Sequence, residues 1–387
     1  MKRTLVLTTL VSVALLLLFS TGAAAALDTF TITQLTTNNF DDLRPRISEA
    51  DRLVWEGYGG TDGGDDSEIY TYIPAGATWY QLTANSSLDG LPQVSGDRVV
   101  WYGTGGTDGG SDSEIFTWTP TGGTAQLTTN NVDDANPQVS GDRVVWSGFG
   151  GTDAGIDLEV FTWTPTGGIV PLTTNSTDDY DPQVSGDRVV WYGTGGTDGG
   201  TDCEIFTWTP TGGIVQLTTN NFDDLGPRVS GERLVWEGSG GTDGGFDSEI
   251  YMYTPTGGIV PLTTNSTDDY DPQVSGDRVV WSGSGGTYGG TDREIVTWDP
   301  TGGTVQITIT PVNDPPTLSG NRVVWSSSGE WTFLPEGEMF TSTPAGSPAA
   351  RTGAPTRRSS PGPPRGASSR SPPTAPTTTT RRSPVTA

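Results

Sequence analysis

The chain has 387 residues, of which 46 are acidic and 20 are basic, and it contains no histidine and a single cysteine. The absence of histidine excludes a Ser-His-Asp triad, acid–base catalysis by histidine and a histidine-ligated zinc site. One cysteine excludes an intrachain disulfide. All 46 acidic residues lie between Asp28 and Glu338, together with 11 arginines and no lysine, so this stretch has a net charge of −35. Such a charge disfavours nucleic acid and anionic lipid as partners, and it favours cations, basic partners or a high-salt habitat.

The first 26 residues are typical of a secretory signal peptide. Lys2 and Arg3 precede a mostly apolar run from Leu5 to Phe19, and small residues follow up to Ala26. The apolar run is short for a membrane span, although an uncleaved membrane anchor is the alternative. We therefore expect the mature protein to be secreted, or to work at the surface of the cell envelope.

From residue 27 to 346 the chain consists of near-copies of one unit, marked by Ser-Gly-Asp-Arg-Val-Val-Trp or a close variant. The seven marker tryptophans are Trp55, Trp101, Trp146, Trp191, Trp236, Trp281 and Trp325. Their spacing is close to 45 residues, and a period of about 40–50 residues composed of strands is typical of a β-propeller. The sequence therefore predicts an all-β, seven-bladed propeller.

One unit predicts four antiparallel strands, here called a to d from the channel outward. In the unit that begins at Pro137 these are residues 137–140, 143–147, 159–164 and 169–173. The pair Gly141-Asp142 suits the tight turn between strands a and b. Side chains such as Val145 and Trp163 are expected to pack between neighbouring blades.

The two ends of the array predict closure of the ring. Residues 29–36 resemble a strand d with no strand a, b or c before it, whereas the last repeat offers strands a, b and c without a convincing strand d. We predict that the N-terminal strand completes the seventh blade, which removes two open sheet edges.

The combination of Asp-Pro-Gln-Val-Ser-Gly-Asp-Arg-Val-Val-Trp, Glu-Ile-Phe-Thr-Trp and Gln-Leu-Thr resembles the TolB-like, or WD-repeat-like, propeller repeats of secreted and cell-surface proteins. The resemblance covers residues 29 to about 345. It implies a propeller that serves as a binding platform, and it implies no particular partner.

The loops between strands b and c carry repeated carboxylates in the pattern Gly-Gly-Thr-Asp-Gly-Gly-x-Asp-x-Glu. The topology places these loops on the same face as the acidic d–a loops. Carboxylates beside glycine-freed carbonyl oxygens are the ligands that Ca²⁺ needs. The candidate calcium ligands are Asp62, Asp66, Glu68, Asp108, Asp112, Glu114, Asp153, Asp157, Glu159, Asp198, Asp202, Glu204, Asp243, Asp247 and Glu249. The alternative is structural, because Gly and Asp form turns and the Glu begins strand c.

An arginine follows every a–b turn, and we expect each to form an ion pair with a nearby acid. A ring of guanidiniums that binds an anionic ligand is the alternative. These arginines are Arg52, Arg98, Arg143, Arg188, Arg233, Arg278 and Arg322.

The near-identity of the repeats argues against an enzyme, because an active site needs one blade to differ from the others. We predict no catalytic residue and no cofactor other than Ca²⁺. The expected function is a monomeric binding scaffold whose acidic loop face meets cations and a protein or glycan at the cell surface. The alternative is a carbohydrate-active propeller enzyme, a glycoside hydrolase or lyase, that uses paired carboxylates.

Residues 347–387 have the opposite composition, with seven arginines, no acidic residue and many Pro, Ser and Thr. Such a segment cannot build a core, and we predict disorder. It is either a native stalk or the product of a frameshift.

Overall fold

The structure is a computed structural model, and strands a to d recur along it in the predicted order. It describes residues 35–37, 39–61, 63, 65–107, 109–151, 157–197, 199–240, 246–284, 293–308, 316–320, 322–327 and 338–342. The predicted signal peptide, residues 29–34 of the predicted N-terminal strand and the predicted tail lie outside these residues. The chain has a compact unit that ends at Thr341.

The described residues form six antiparallel sheets of four strands, in the order a-b-c-d along the chain, and a seventh sheet of three strands in the order a-b-c. The strands of the first three sheets are Asp42–Ile47, Leu53–Tyr58, Ser67–Ile73 and Thr78–Gln81; Asp89–Ser95, Arg98–Gly103, Glu114–Thr119 and Gly123–Gln126; Asp134–Ser140, Arg143–Phe149, Leu158–Thr164 and Gly168–Pro171. Those of the other four are Asp179–Ser185, Arg188–Thr194, Cys203–Thr209 and Gly213–Gln216; Asp224–Ser230, Arg233–Ser239, Ser248–Thr254 and Gly258–Pro261; Asp269–Ser275, Arg278–Ser284, Arg293–Asp299 and Gly303–Gln306; Thr317–Ser319, Arg322–Ser327 and Glu338–Ser342.

These sheets confirm an all-β fold with six complete blades. A single 3₁₀ turn, Pro74–Gly76, is the only helical element among the described residues, and no helix there is long and apolar enough to cross a membrane. We number the blades 1 to 7 in chain order.

Strand a is longer than the sequence predicted, because it begins before the proline. In blade 3 it begins at Asp134 instead of Pro137, and its pairing with strand b is irregular between Val145 and Ser147. Asn136 lies in this irregular part with a φ of 54°, so it forms a bulge. The Asp-Ala-Asn-Pro sequence has the composition of a turn, and for this reason the sequence did not predict these residues as part of strand a.

The hydrophobic core lies between successive sheets. Val145 and Val160 of blade 3 pack with Val189 and Trp191 of blade 4, and the same arrangement recurs between other neighbours. Trp163 packs against the preceding cluster, as predicted. The marker tryptophans of blades 2 to 5 are fully buried, and each removes about 200 Å² from water, which contributes roughly 5 kcal/mol. The strands a of successive blades also contact one another, so they form the inner layer of the array.

Candidate functional site

In blades 1 to 5 the arginine after the a–b turn joins its blade to the next one. Arg143 donates from Nη2 to Asp187 Oδ1 at 2.8 Å and from Nη1 to Thr162 Oγ1 at 3.2 Å, and its guanidinium lies 5.1 Å from the ring centroid of Trp208. The other ion pairs between blades are Arg52–Asp97, Arg98–Asp142, Arg188–Glu232 and Arg233–Asp277. Arg278 pairs with Asp299 of its own blade. The prediction of structural ion pairs is confirmed for these six arginines.

The last aspartate of the d–a loop is buried in the five loops that lead into blades 2 to 6. Asp134 is 1% exposed, and its Oδ1 accepts a hydrogen bond from Trp146 Nε1 at 2.8 Å. Its Oδ2 accepts a hydrogen bond from Asn130 Nδ2 at 2.7 Å. Gly148 faces this carboxylate, and a Cβ there would lie 2.0 Å from Asp134 Oδ1. The carboxylate therefore holds the d–a loop against strand b.

Burial raises the pKa of this aspartate to about 6, against the lowering effect of its hydrogen bonds from Asn130, Trp146 and Thr128. The charge of Asp112 in the b–c loop adds a smaller increase. The pKa is raised to about 6 in five blades, at Asp89, Asp134, Asp179, Asp224 and Asp269. Each of these five blades therefore holds a buried carboxylate whose ionisation is less favourable than that of an exposed aspartate.

The predicted calcium ligands separate into three groups in the structure. The first aspartate of each loop, at Asp62, Asp108, Asp153, Asp198 and Asp243, lies outside the described residues. The second is half-buried, and its Oδ2 is shielded from solvent with no hydrogen-bond partner in the described part of the chain; these residues are Asp66, Asp112, Asp157, Asp202 and Asp247. The third is buried in or next to strand c, at Glu68, Glu114, Glu159, Glu204 and Glu249.

The described carboxylates do not form a ready-made metal site. Within the described ranges, no group of three or more Asp, Glu or Cys side chains is arranged to hold a metal ion. Asp112 is nevertheless close enough to Asp134 to act on it electrostatically, and Glu114 begins the adjacent strand. The loops thus gather negative charge at each blade junction, where a proton or a cation would reduce the repulsion.

A groove of about 580 Å³ lies between these acidic loops. It is lined by Ser111, Asp112, Asn131, Val132, Asp133, Phe149 and Gly150. Exposed aromatic rings also lie on these loops. Phe246 is 87% exposed, and its ring packs edge-on against Phe222 with 6.3 Å between the ring centroids. We call the b–c and d–a loops together the acidic loop face.

The repeats differ most on the inner strands, which sequence reasoning missed. The third residue of each complete strand a has a positive φ, and these residues are Arg44, Leu91, Asn136, Asp181, Gly226 and Asp271. Only one of the six is glycine, although this region costs other residues about 1 kcal/mol or more. The side chain at this position is cationic in blade 1, apolar in blade 2, an amide in blade 3 and anionic in blades 4 and 6. The sequences of the b–c loops, by contrast, remain nearly constant. Divergence between otherwise similar repeats was the signal that could have found these positions.

Several of the divergent inner residues interact. Arg44 forms an ion pair with Glu56, which is 2% exposed and accepts a hydrogen bond from the backbone N of Leu91. Glu237 in blade 5 accepts the equivalent hydrogen bond from the backbone N of Asp271 at 3.1 Å. Burial raises the pKa of Glu237. These two glutamates occupy the same position in different environments.

No family model matches the chain, and comparison with curated proteins gave no match. The β-propeller domain of the Trilobed protease from Pyrococcus furiosus is 12% identical over 78% of this chain and 92% of that chain, with a TM-score of 0.53. Dipeptidyl peptidase 4 of Porphyromonas gingivalis is 11% identical over 76% of this chain and 51% of that one, with a TM-score of 0.51. TolB from Acinetobacter baumannii matches at 13% identity over 64% of this chain and 62% of its own, with a TM-score of 0.40. This chain spans about half the length of the dipeptidyl peptidase. At these identities the comparisons show the fold alone, and by fold the chain is a β-propeller.

Proposed function

We propose that this protein is a non-enzymatic binding scaffold that works outside the cytoplasm and meets its partner through the acidic loop face. The observation that carries the proposal is the repetition, in five successive blades, of a solvent-shielded Asp oxygen with no hydrogen-bond partner among the described residues. Exposed Phe246 and the groove beside Phe149 add apolar surface next to this charge. Aromatic anchors surrounded by charge are common in protein interfaces.

The proposal includes Ca²⁺ as a cation bound at this face. Its support is the electrostatic effect of Asp112 on Asp134, the carboxylate of Glu114 two residues further along the chain, and the glycine-rich loop between strands b and c. A cation there would offset the charge that gathers at each blade junction, and flexible oxygen ligands suit calcium.

Calorimetric titration of chelator-stripped protein with CaCl₂ tests the cation, and binding of immobilised protein to basic peptides and envelope polysaccharides tests the partner. The variant D112N/D157N removes two loop carboxylates and should weaken both. The matched control E49Q/D51N removes the same charge from the opposite, a–b turn end of a blade, where both residues are exposed. Equal losses in the two variants, or no binding by the unmodified protein, would contradict the proposal.

We also propose that the ring has seven blades and closes through residues 29–36. The seventh sheet supplies strands a, b and c in the described residues, so the predicted N-terminal strand has a place to pair. Deleting residues 27–37 should lower the melting temperature and promote aggregation through the open edges, whereas deleting residues 347–387 should do neither. Unchanged stability after the first deletion would contradict closure.

The second candidate is a carbohydrate-active enzyme with paired carboxylates. One observation favours it: Glu56 forms an ion pair with Arg44, whereas Glu237 has its pKa raised by burial, and glycoside hydrolases need two carboxylates in unequal environments. Product analysis after incubation with polysaccharides separates the two candidates. Cleaved sugar that disappears in E237Q would support the enzyme.

A further inference from the structure

Two grooves on the acidic loop face contain an aromatic ring beside a pair of carboxylates. The first, of about 580 Å³, lies where blades 2 and 3 meet, and Phe149, Asp112 and Asp133 are part of its lining. The second, of about 290 Å³, lies in blade 1 and is lined by Asn39, Phe40, Asp41, Tyr58, Gly59 and Asp65. We call them the blade-3 groove and the blade-1 groove.

The aromatic ring in each groove is a departure from the repeat. Tyr58 and Phe149 occupy the same position, the third residue after the marker tryptophan, and both are half-buried. The other four complete blades have a small hydroxyl residue at this position: Thr104, Thr194, Ser239 and Ser284. The fold does not require a ring here, because those four blades form strand b without it. A ring that only two of the six complete repeats contain is therefore a candidate for binding.

Backbone contacts hold each ring next to a carboxylate. Phe149 N donates to the carbonyl oxygen of Asp133 at 3.1 Å, and Tyr58 N donates to the carbonyl oxygen of Asp41 at 3.1 Å. The side chain of Asp133 is held as well, because its Oδ1 accepts a hydrogen bond from the backbone N of Ser113 at 2.8 Å. The groups that line the blade-3 groove are thus ordered without a ligand, which reduces the entropy cost of binding.

The residue after each ring is a glycine that leaves room for an apolar side chain of the d–a loop. Gly150 has a φ of 83°, and a Cβ there would lie 3.2 Å from Val132 Cγ2. A Cβ at Gly59 would overlap the ring of Phe40. Each groove therefore combines an apolar side chain of the d–a loop with the aromatic ring and the two carboxylates.

The charge of the grooves favours a cationic ligand. The described lining of each groove contains two aspartates and no arginine, and the stretch from Asp28 to Glu338 has a net charge of −35. A ring adds attraction for an organic cation through its quadrupole, and a carboxylate adds charge-assisted hydrogen bonds. A Ca²⁺ ion, by contrast, needs six or more oxygen ligands, and a ring supplies none of them.

We propose that each groove binds the cationic side chain of a lysine or an arginine from a basic partner protein. The hydrocarbon stem of that side chain packs against Phe149 or Tyr58, and its ammonium or guanidinium group meets the carboxylates. This inference rests on the proposed binding function of the acidic loop face, and it names the chemistry that the face recognises in its partner.

Calorimetric titration of the chelator-stripped protein with a tetralysine peptide tests the inference. A peptide of four Nε-acetylated lysines has the same backbone without the side-chain charge, and it should bind at least about tenfold more weakly. Y58T and F149T should each weaken the binding of tetralysine about threefold, and Y58T/F149T about tenfold, because the attraction of the cation to the ring is lost. Both variants should fold, because blades 2 and 4 already have threonine at this position.

Two matched controls separate the grooves from the rest of the surface. Y80T removes a ring that is 47% exposed on strand d of blade 1, outside the lining of the blade-1 groove, and should change the affinity for tetralysine less than about twofold. D41N/D133N should weaken binding more than E49Q/D51N, which removes the same charge from the exposed a–b turn of blade 1. Equal losses within either matched pair, or equal binding of the two peptides, would overturn the inference.

Calcium and polysaccharide titrations of the same variant distinguish this inference from the proposed function. Y58T/F149T keeps every loop carboxylate, so it should bind Ca²⁺ like the unmodified protein. If the unmodified protein binds Ca²⁺ or a polysaccharide but not tetralysine, the inference is wrong and the proposed function stands. If it binds none of the three, both are wrong.

Discussion

Trp146 Nε1 donates a 2.8 Å hydrogen bond to Asp134 Oδ1, and this contact links the first residue of strand a to the middle of strand b. The tryptophan and the aspartate are 12 residues apart, and the same spacing joins Trp101 to Asp89 and Trp191 to Asp179. The indole N–H thereby has a hydrogen-bond acceptor inside the buried interface between blades. In each of the six complete blades, one pair of side chains thus ties strand a to strand b.

Replacing this aspartate should be costly. D134A leaves the buried Trp146 N–H and one Asn130 N–H without partners, and each unsatisfied donor costs about 1–3 kcal/mol. We expect the free energy of unfolding to fall by about 2–4 kcal/mol in denaturant titrations. T166A in the exposed c–d turn of the same blade should change it by less than about 0.5 kcal/mol. If the free energy of unfolding falls no more in D134A than in this control, the hydrogen bond between Trp146 and Asp134 does not stabilise the fold.

The same aspartates predict an unusual pH dependence. Their pKa of about 6 in the folded protein lies above the unfolded value near 3.9, so the folded state binds more protons between these values. Their contribution to stability is therefore full below about pH 4 and is lost as pH rises through about 6. We expect melting temperatures to fall between pH 4.5 and pH 7.

General repulsion between the many carboxylates acts in the same direction, so a variant is needed to separate the two effects. D179N cannot ionise and can still accept the hydrogen bond from Trp191. It should reduce the pH dependence, whereas E49Q, at an exposed position, should leave it unchanged. Identical slopes in D179N and the unmodified protein would place the pH dependence outside these buried aspartates.

Local sequence rules predicted the order of the strands but not the inner bulge. The tight turn at Gly141-Asp142 and the β-branched run after it are local signals, and the structure confirms both. Asn136 in a left-handed conformation is held by the strands around it, which no local pattern reports. The divergent side chains of the inner strands lie at this bulge, at the third residue of each complete strand a.

The sequence predicted that charged side chains interact with groups of opposite charge, but it did not predict which residues those partners are. Ion pairing of Arg143 follows from its acidic surroundings, but its partner Asp187 is 44 residues away on the next blade. Glu159 was predicted as a cation ligand, and the structure buries it completely at the beginning of strand c. Contacts between blades depend on how sheets stack, which the sequence of a single repeat does not contain.

The junction formed by Arg143 should depend more on packing than on its ion pair. Asp187 is 73% exposed, so solvent screens the pair, whereas Arg143 is 12% exposed and lies over Trp208. R143A should therefore lower the free energy of unfolding by about 1–2 kcal/mol, and D187N by less than about 1 kcal/mol. Equal effects in denaturant titrations would mean that the ion pair itself dominates.

Two glycines of blade 5 should respond in opposite ways to substitution. Gly226 has a φ of 58°, and no heavy atom lies within 4 Å of a Cβ built there. Asn136 occupies the equivalent position in blade 3, so G226N should be neutral or raise the free energy of unfolding by up to about 1 kcal/mol, because asparagine restricts the unfolded chain. At Gly238, by contrast, a Cβ would lie 2.1 Å from Asp224 Oδ1.

The clash at Gly238 displaces the carboxylate that accepts the hydrogen bond from Trp236 Nε1. G238A should therefore cost about 2–4 kcal/mol, the range for overpacking combined with a buried donor left unsatisfied. Denaturant titrations of G226N and G238A measure the change in the free energy of unfolding for both variants with one method. A tolerated alanine at Gly238 would mean that strand a can move away from strand b, and the contact between aspartate and tryptophan would then not be what fixes the inner strand.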